Sequence, residues 1–263
     1  MTSLVLAAAL LAVAPSRDSC GRIPLLPAYS HNDYRNPHPL LDALAGGYRG
    51  AEADLFRVDT VLAIGHARRE LRPLLTFARI YLEPLRERLR RCGHVLPDSS
   101  VFLLTVELKE QDPRAFGLLL GQLRAYDDLF HARAPGAKPP VAVVLVGWWP
   151  APGATAPHWP PYLGAQVIVG AGGTVRGDTA ALPIALITID YGKAIDWSGR
   201  GPIPASRQAV VATARRLAVR YGVPLRVHHA PVDLRVYQWL LSEGVTLIGT
   251  TDLARTGELL RGR

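Results

Sequence analysis

From residue 23 onward, short apolar runs alternate with longer amphipathic stretches. IPLLPAY (23–29), RGAEADLF (49–56), VFLLTVELK (101–109), VAVVLVGWW (141–149), AQVIVGAG (165–172), PIALITIDY (183–191), PLRVHHA (224–230) and GVTLIGTTD (244–252) have the length and apolar content of strands. Helical spacing marks LLTFARIYLEPLRERLRR (74–91), PRAFGLLLGQLRAYDDLF (113–130), SRQAVVATARRLAVRYG (206–222) and LRVYQWLLSEG (234–244), and Gly or Pro often stands at the joins. TVLAIGH (60–66) follows the second strand too closely for a helical crossover, so it predicts a hairpin extension of that strand. The Pro-rich PAPGATAPHWPPYLG (150–164) predicts an irregular loop. Strands separated by helices predict an α/β fold, a (β/α)8 TIM barrel in one domain. An open doubly wound sheet is the alternative, but no Gly-rich dinucleotide fingerprint follows the first strand.

Polar residues interrupt these strands at specific places. Glu52 and Asp54 alternate on the second strand and so share a face; Glu107 and Lys109 do the same near the end of the third. His31 and Asn32 follow the first strand, and His66 ends the hairpin extension. In a barrel these positions converge at the C-terminal mouth, where catalytic groups gather. Three carboxylates in one partly dehydrated mouth repel, and a hard divalent cation such as Mg²⁺ or Ca²⁺ relieves that repulsion with oxygen ligands. The competing reading puts Glu52 and Asp54 on a solvated strand face, paired with arginines.

Composition narrows the partners. The chain of 263 residues is 49% hydrophobic and 20% charged, which excludes a disordered polypeptide. Its net charge of +8 comes mostly from arginine spread along the chain, compatible with an anionic substrate or with peripheral contact at a membrane surface. No element interleaves basic and aromatic residues as a nucleic-acid surface would, and no obligate protein partner is evident. Residues 4–14 form an apolar run too short to span a bilayer, with Ala12-Val13-Ala14 as an A-x-A-like cleavage site and polar residues beyond, so residues 1–20 are expected to be a leader that directs export. Cys20 and Cys92 form either one disulfide or two free thiols.

SHNDY (30–34), PLLDALAGGYRGAEADLF (39–56), LAIGH (62–66), TFARIYLEPL (76–85) and VELK (106–109) together resemble the phosphatidylinositol-specific phospholipase C and glycerophosphodiester phosphodiesterase barrels, and most closely a small branch bearing an SHNDY element. DWSGRGPIP, LRVHHAPVD and SEGVTLIGTTDL resemble later motifs of that branch, which extends the similarity from about residue 27 to the C-terminus. The resemblance implies His31 and His66 as the acid–base pair, Asn32, Glu52, Asp54 and Glu107 as metal ligands, and Lys109 as a phosphate contact. It also implies a phosphodiester substrate, either a lipid or a glycerol phosphodiester. Two departures touch the substrate side: Ala67-Arg68-Arg69 after LAIGH, and RVHHAP where an aromatic residue is usual.

Further substrate contacts are expected from His229, since alternation lets only one of His228 and His229 point inward, and from Trp148 beside Trp149. Asp190 and Lys193 are candidates for outer contacts, His38 reads as a loop residue, and Thr250-Thr251-Asp252 reads as architectural. The function expected is metal-dependent phosphoric diester hydrolysis. A non-catalytic barrel that binds phosphorylated headgroups is the alternative, and a zinc hydrolase barrel lacks its H-x-H pair after the first strand.

Overall fold

The computed structural model describes residues 20, 23–150, 160, 162–177 and 182–262. The expected leader, except Cys20, and most of the Pro-rich 150–164 segment lie outside the described residues.

Ten strands form one sheet: β1 (Ala28–Ser30), β2 (Gly50–Val58), β3 (Val61–Ile64), β4 (Phe102–Leu108), β5 (Val141–Gly147), β6 (Leu163–Val169), β7 (Val175–Arg176), β8 (Ile184–Asp190), β9 (Leu225–His228) and β10 (Leu247–Thr250). Strands β1, β2, β4, β5, β6, β8, β9 and β10 run parallel, and the β1–β2 pairing closes them into a barrel. This is the expected (β/α)8 architecture. The helices are α1 (Leu41–Ala45), α2 (Glu83–Cys92), α3 (Pro113–Ala125), α4 (Tyr191–Ala194), α5 (Ala205–Tyr221), α6 (Leu234–Ser242) and α7 (Leu253–Arg261).

The strand expectations need trimming where backbone chemistry intervenes. The first strand, expected over 23–29, runs only over Ala28–Ser30, because Pro24 and Pro27 have no N–H to offer a ladder. Strand β5 stops at Gly147, whose φ of 79° turns the chain out before Trp148 and Trp149. Within 74–91 the helix opens with a π turn, Ala78–Leu82, just ahead of Pro84, where the regular hydrogen-bond ladder cannot continue. The sequence reading missed α7, whose start is marked by Asp252 accepting from Arg255 N at 2.9 Å. That bond gives the Thr-Thr-Asp element the architectural role expected of it. The interior-facing and helix-facing sides of the strands differ in the way a barrel requires: Ala51, Ala53, Leu104 and Val106 are buried against the helix layer, while their alternates point into the barrel.

Cys20 and Cys92 form a disulfide spanning 72 residues of sequence. Linking two points that far apart removes much of the unfolded chain's freedom, worth about 4 kcal/mol in the chain-entropy estimate. Cys92→Ser is therefore expected to lower the urea midpoint under oxidising conditions by an amount equivalent to about 2–4 kcal/mol. A variant with unchanged stability would show that the bond constrains nothing.

Candidate active site

Strand register builds the site. Glu52 pairs with Thr105 and Asp54 with Glu107 across β2 and β4, so both rows point into the barrel. On the far wall Thr188 pairs with Arg226 and Asp190 with His228 across β8 and β9. The β2–β3 hairpin turns on Asp59 (φ 51°) and returns antiparallel; Gly65 N then bonds Asp54 O at 3.1 Å, which sets His66 beside the Asp54 carboxylate. His31 is fixed by its N–H to Thr250 O at 2.8 Å.

The loop after β1 is organised around Asp33. Fully buried, Asp33 accepts from Ser30 Oγ at 2.6 Å and from Leu40 N at 2.5 Å. This staple holds Asn32 in the left-handed conformation (φ 49°) that asparagine tolerates better than most residues. His38 stays exposed and bonds Asp42, a loop residue as expected.

Carboxylate oxygens of Glu52, Asp54 and Glu107 all lie within 4.8 Å of one another. Asp54 Oδ2 is crowded with donors: Tyr34 Oη at 2.8 Å, His66 Nδ1 at 2.9 Å and Lys109 Nζ at 3.4 Å. Asp54 Oδ1, by contrast, is buried with no hydrogen-bond partner among the described residues. Lys109 also reaches Glu107 Oε1 at 3.2 Å, and Arg226 reaches Glu52 Oε2 at 3.4 Å. Three carboxylates thus face two fixed cations. An orphaned buried carboxylate oxygen and this unbalanced charge fit a hard divalent cation held by Glu52, Asp54 and Glu107. Asn32 Oδ1 stands 2.9 Å from Tyr34 Oη, whose single proton is shared between it and Asp54 Oδ2, and keeps a lone pair for such an ion.

Burial, with the repulsion of Asp54 and Glu107 added, raises Glu52 to about 7 despite the opposing pull of Arg226. Burial and then the Arg226 guanidinium drive His31 down to about 3, so its imidazole is neutral although Nε2 stands 3.5 Å from Glu52. His228 is depressed still further by the same two causes. Burial pulls the Lys109 ammonium down, but Asp54 and Glu107 outweigh it and the net shift is upward.

His31, Asn32, Glu52, His66 and Glu107 line one cavity of about 580 Å³ together with the opposite wall. Lys109 joins it through Asp54 and Glu107. Two expectations need correction. His228 and His229 both line the cavity, because β9 ends at His228 and a φ of 59° at His229 breaks the alternation. Trp148 lies outside this cavity, in an adjoining groove of about 290 Å³ bounded by Trp149, Gln166 and Arg176, because β5 has already turned away.

Arg226, Gln166 and Tyr34 were not foreseen as parts of the site. Arg226 is almost fully buried; it donates to Gln166 Oε1 at 2.7 Å and Thr188 Oγ1 at 3.2 Å and lies over the Tyr29 ring. The signal was present in RVH, where Arg226 and His228 alternate on a strand as Glu52 and Asp54 do.

Comparison with known proteins bears on the domain and its fold. Residues 18–131 match the family model described as the AIM6-like phosphodiesterase domain, a span that includes the carboxylate wall, His31 and His66. "Altered inheritance of mitochondria protein 6" of Eremothecium gossypii (strain ATCC 10895 / CBS 109.51 / FGSC 9923 / NRRL Y-1056) is 32% identical over 146 residues, 46% of this chain and 37% of that protein. The protein of the same name in Saccharomyces cerevisiae (strain ATCC 204508 / S288c) is 42% identical over 64 residues, 24% of this chain and 16% of that protein. The aligned stretches thus span well under half the length of these relatives. A glycerophosphodiester phosphodiesterase crystal structure from Agrobacterium tumefaciens str. C58 superposes with a TM-score of 0.51 at 15% identity, covering 90% of this chain and 99% of that one, a likeness of fold.

The raised Glu52 value has a measurable consequence without metal. The folded state binds that proton more tightly than the unfolded chain, whose carboxyl has the usual value of 4.5, so stability falls as pH rises from 4.5 to about 7. The total loss is on the order of 3 kcal/mol. Metal-stripped Glu52→Gln is expected to unfold at higher urea than stripped wild type at pH 8 and at a similar midpoint at pH 5. A wild-type advantage at pH 8 would contradict the strained carboxylate.

The resemblance carried by the SHNDY, GAEADLF and VELK motifs thus holds: residues 18–131 match an AIM6-like phosphodiesterase domain, and the described residues form a closed (β/α)8 barrel similar in fold to the glycerophosphodiester phosphodiesterase structure.

Proposed function

We propose that this protein is a metal-dependent phosphoric diester hydrolase acting on a glycerophosphodiester or phospholipid headgroup. The observation that carries the reading is the wall of Glu52, Asp54 and Glu107, with Asp54 Oδ1 buried and without a hydrogen-bond partner among the described residues, and with His31 and His66 beside it at one cavity. A bound Mg²⁺ or Ca²⁺ would offset charge developing on the phosphoryl oxygens. Glu52, Asp54, Glu107 and Asn32 would hold it, and Lys109 would contact the phosphate.

The two histidines differ in ways that assign their tasks. His31 lines the cavity with Nε2 3.5 Å from Glu52, so it is placed to take the proton of the attacking water or neighbouring hydroxyl and share it with that carboxylate. His66 bonds Asp54 through Nδ1 at 2.9 Å, which fixes the ring and leaves Nε2 to hand a proton to the leaving oxygen. Lys193, Arg176 and His229 line the rest of the cavity and suit the polar, anionic end of such a substrate. The Cys20–Cys92 disulfide supports work in an oxidising compartment, consistent with export. No described helix is long and apolar enough to cross a membrane.

Phosphorus NMR of the purified protein with glycerophosphodiesters, lysophospholipids and phosphatidylinositol tests the proposal. With Mg²⁺ or Ca²⁺ a new monoester or cyclic phosphate resonance is expected, and excess chelator should stop its growth. His66→Ala should slow turnover by about 10² or more while still binding metal. Turnover indifferent to chelator would sink the metal assignment, and headgroup binding without any product would favour the binding-barrel alternative.

A further inference from the structure

The wall opposite the carboxylates carries a second group of ligand-type side chains, outside the 18–131 span that matches the family model. Asp190 ends β8, His228 ends β9, and His229 follows it. One ligand atom from each of the three lies within 4.8 Å of the others. His229 Nδ1 is 3.3 Å from Asp190 Oδ1, and His228 Nε2 is 3.9 Å from Asp190 Oδ2. The second distance is too long for a hydrogen bond. The first suits two donors sharing one cation, since ligands at 2.0–2.1 Å on a tetrahedral ion stand about 3.3 Å apart, and the second would have to close on binding.

Three further features point the same way. His228 is held by Thr188 Oγ1, 3.1 Å from its Nδ1, the arrangement in which the other ring nitrogen ligates. Thr188 is itself fixed by Arg226 Nε at 3.2 Å. The left-handed backbone at His229 (φ 59°) costs energy in a residue with a Cβ, and it brings the second imidazole to the same carboxylate. Gly249 makes room for the assembly, because a Cβ there would stand 3.0 Å from His228 Cβ. The cation now beside Asp190 is Lys193, 3.1 Å from Oδ2, whose side chain is 84% exposed and can swing into solvent.

We infer that Asp190, His228 and His229 form a second metal site, for a borderline first-row divalent ion such as Zn²⁺, Mn²⁺ or Co²⁺. Two imidazoles and one carboxylate select such ions, whereas the all-oxygen wall of Glu52, Asp54 and Glu107 selects Mg²⁺ or Ca²⁺. The site opens into the same cavity, with His31 between the two walls: its ring centroid is 5.3 Å from that of His228 and 4.8 Å from that of His229. This inference does not depend on the carboxylate site being a metal site.

The test is equilibrium dialysis of chelator-stripped full-length protein against Co²⁺, with and without saturating Mg²⁺, while visible absorption reports nitrogen coordination. Without Mg²⁺, wild type should bind two equivalents. His229→Gln should bind one, as should the double variant Glu52→Gln/Glu107→Gln; only the double variant should keep the nitrogen-ligand spectrum. With Mg²⁺, wild type should still bind one Co²⁺ with that spectrum. His229 is half-exposed, so His229→Gln should fold; Asp190→Asn gives an independent check by circular dichroism and Co²⁺ count. Equal Co²⁺ binding by wild type and His229→Gln overturns the inference. Wild type binding one equivalent and the double variant none overturns it while sparing the carboxylate reading. Wild type binding one and His229→Gln none supports it and removes the carboxylate reading instead.

Discussion

Charge crowding inside the barrel is the constraint around which this molecule is arranged. Glu52, Asp54 and Glu107 point inward from adjacent strands, where burial weakens solvent screening and raises the cost of each charge. The barrel answers with Arg226 from the opposite side. Its guanidinium spans Glu52, Gln166 and Thr188, and so ties β2, β6, β8 and β9 together through the interior. Lys109 does the same locally for Asp54 and Glu107. Once Glu52 is ionised, these two cations leave a deficit of positive charge, concentrated at Asp54 Oδ1, which has no hydrogen-bond partner among the described residues. Under the proposed function, a divalent cation would remove that deficit and leave a net positive surface for a phosphodiester monoanion.

Irregular backbone places the groups that strands alone cannot. The loop after β1 folds around buried Asp33, and the result is a left-handed Asn32 with Tyr34 reaching back to Asp54. The tight hairpin after β2 reverses the chain and delivers His66 to the same carboxylate. Strand β9 ends so abruptly that two consecutive histidines face one cavity. Each device puts a polar side chain at the barrel mouth on a rigid support, which keeps the candidate acid, base and ligand groups at fixed separations.

Much of this was legible in the sequence because barrel periodicity is simple. Alternation on β2 and β4 predicted the shared face of Glu52, Asp54 and Glu107, and the short gap before LAIGH predicted the hairpin that carries His66. What failed to show was whatever depends on φ or on contacts between distant strands. Alternation would send His228 and His229 to opposite faces; a single left-handed residue brings both to the cavity. Trp148 looked like a strand end, but Gly147 had already turned the chain. Arg226 lies 174 residues from Glu52 in sequence, so their pairing is visible only once the barrel closes. Its position between apolar neighbours on a strand was a readable sign that it had a buried task.

The account rests on the carboxylate wall needing a divalent cation, and thermal unfolding of metal-stripped wild-type protein at pH 8 tests that need most directly. Adding Mg²⁺ or Ca²⁺ at about 100 times its dissociation constant should stabilise the fold by about 2.7 kcal/mol. For a chain of this size that is a rise in Tm of about 5 °C or more, and the rise should vanish in Asp54→Asn. No rise with either ion would contradict the account, because the three carboxylates would then be satisfied by Lys109 and Arg226 alone.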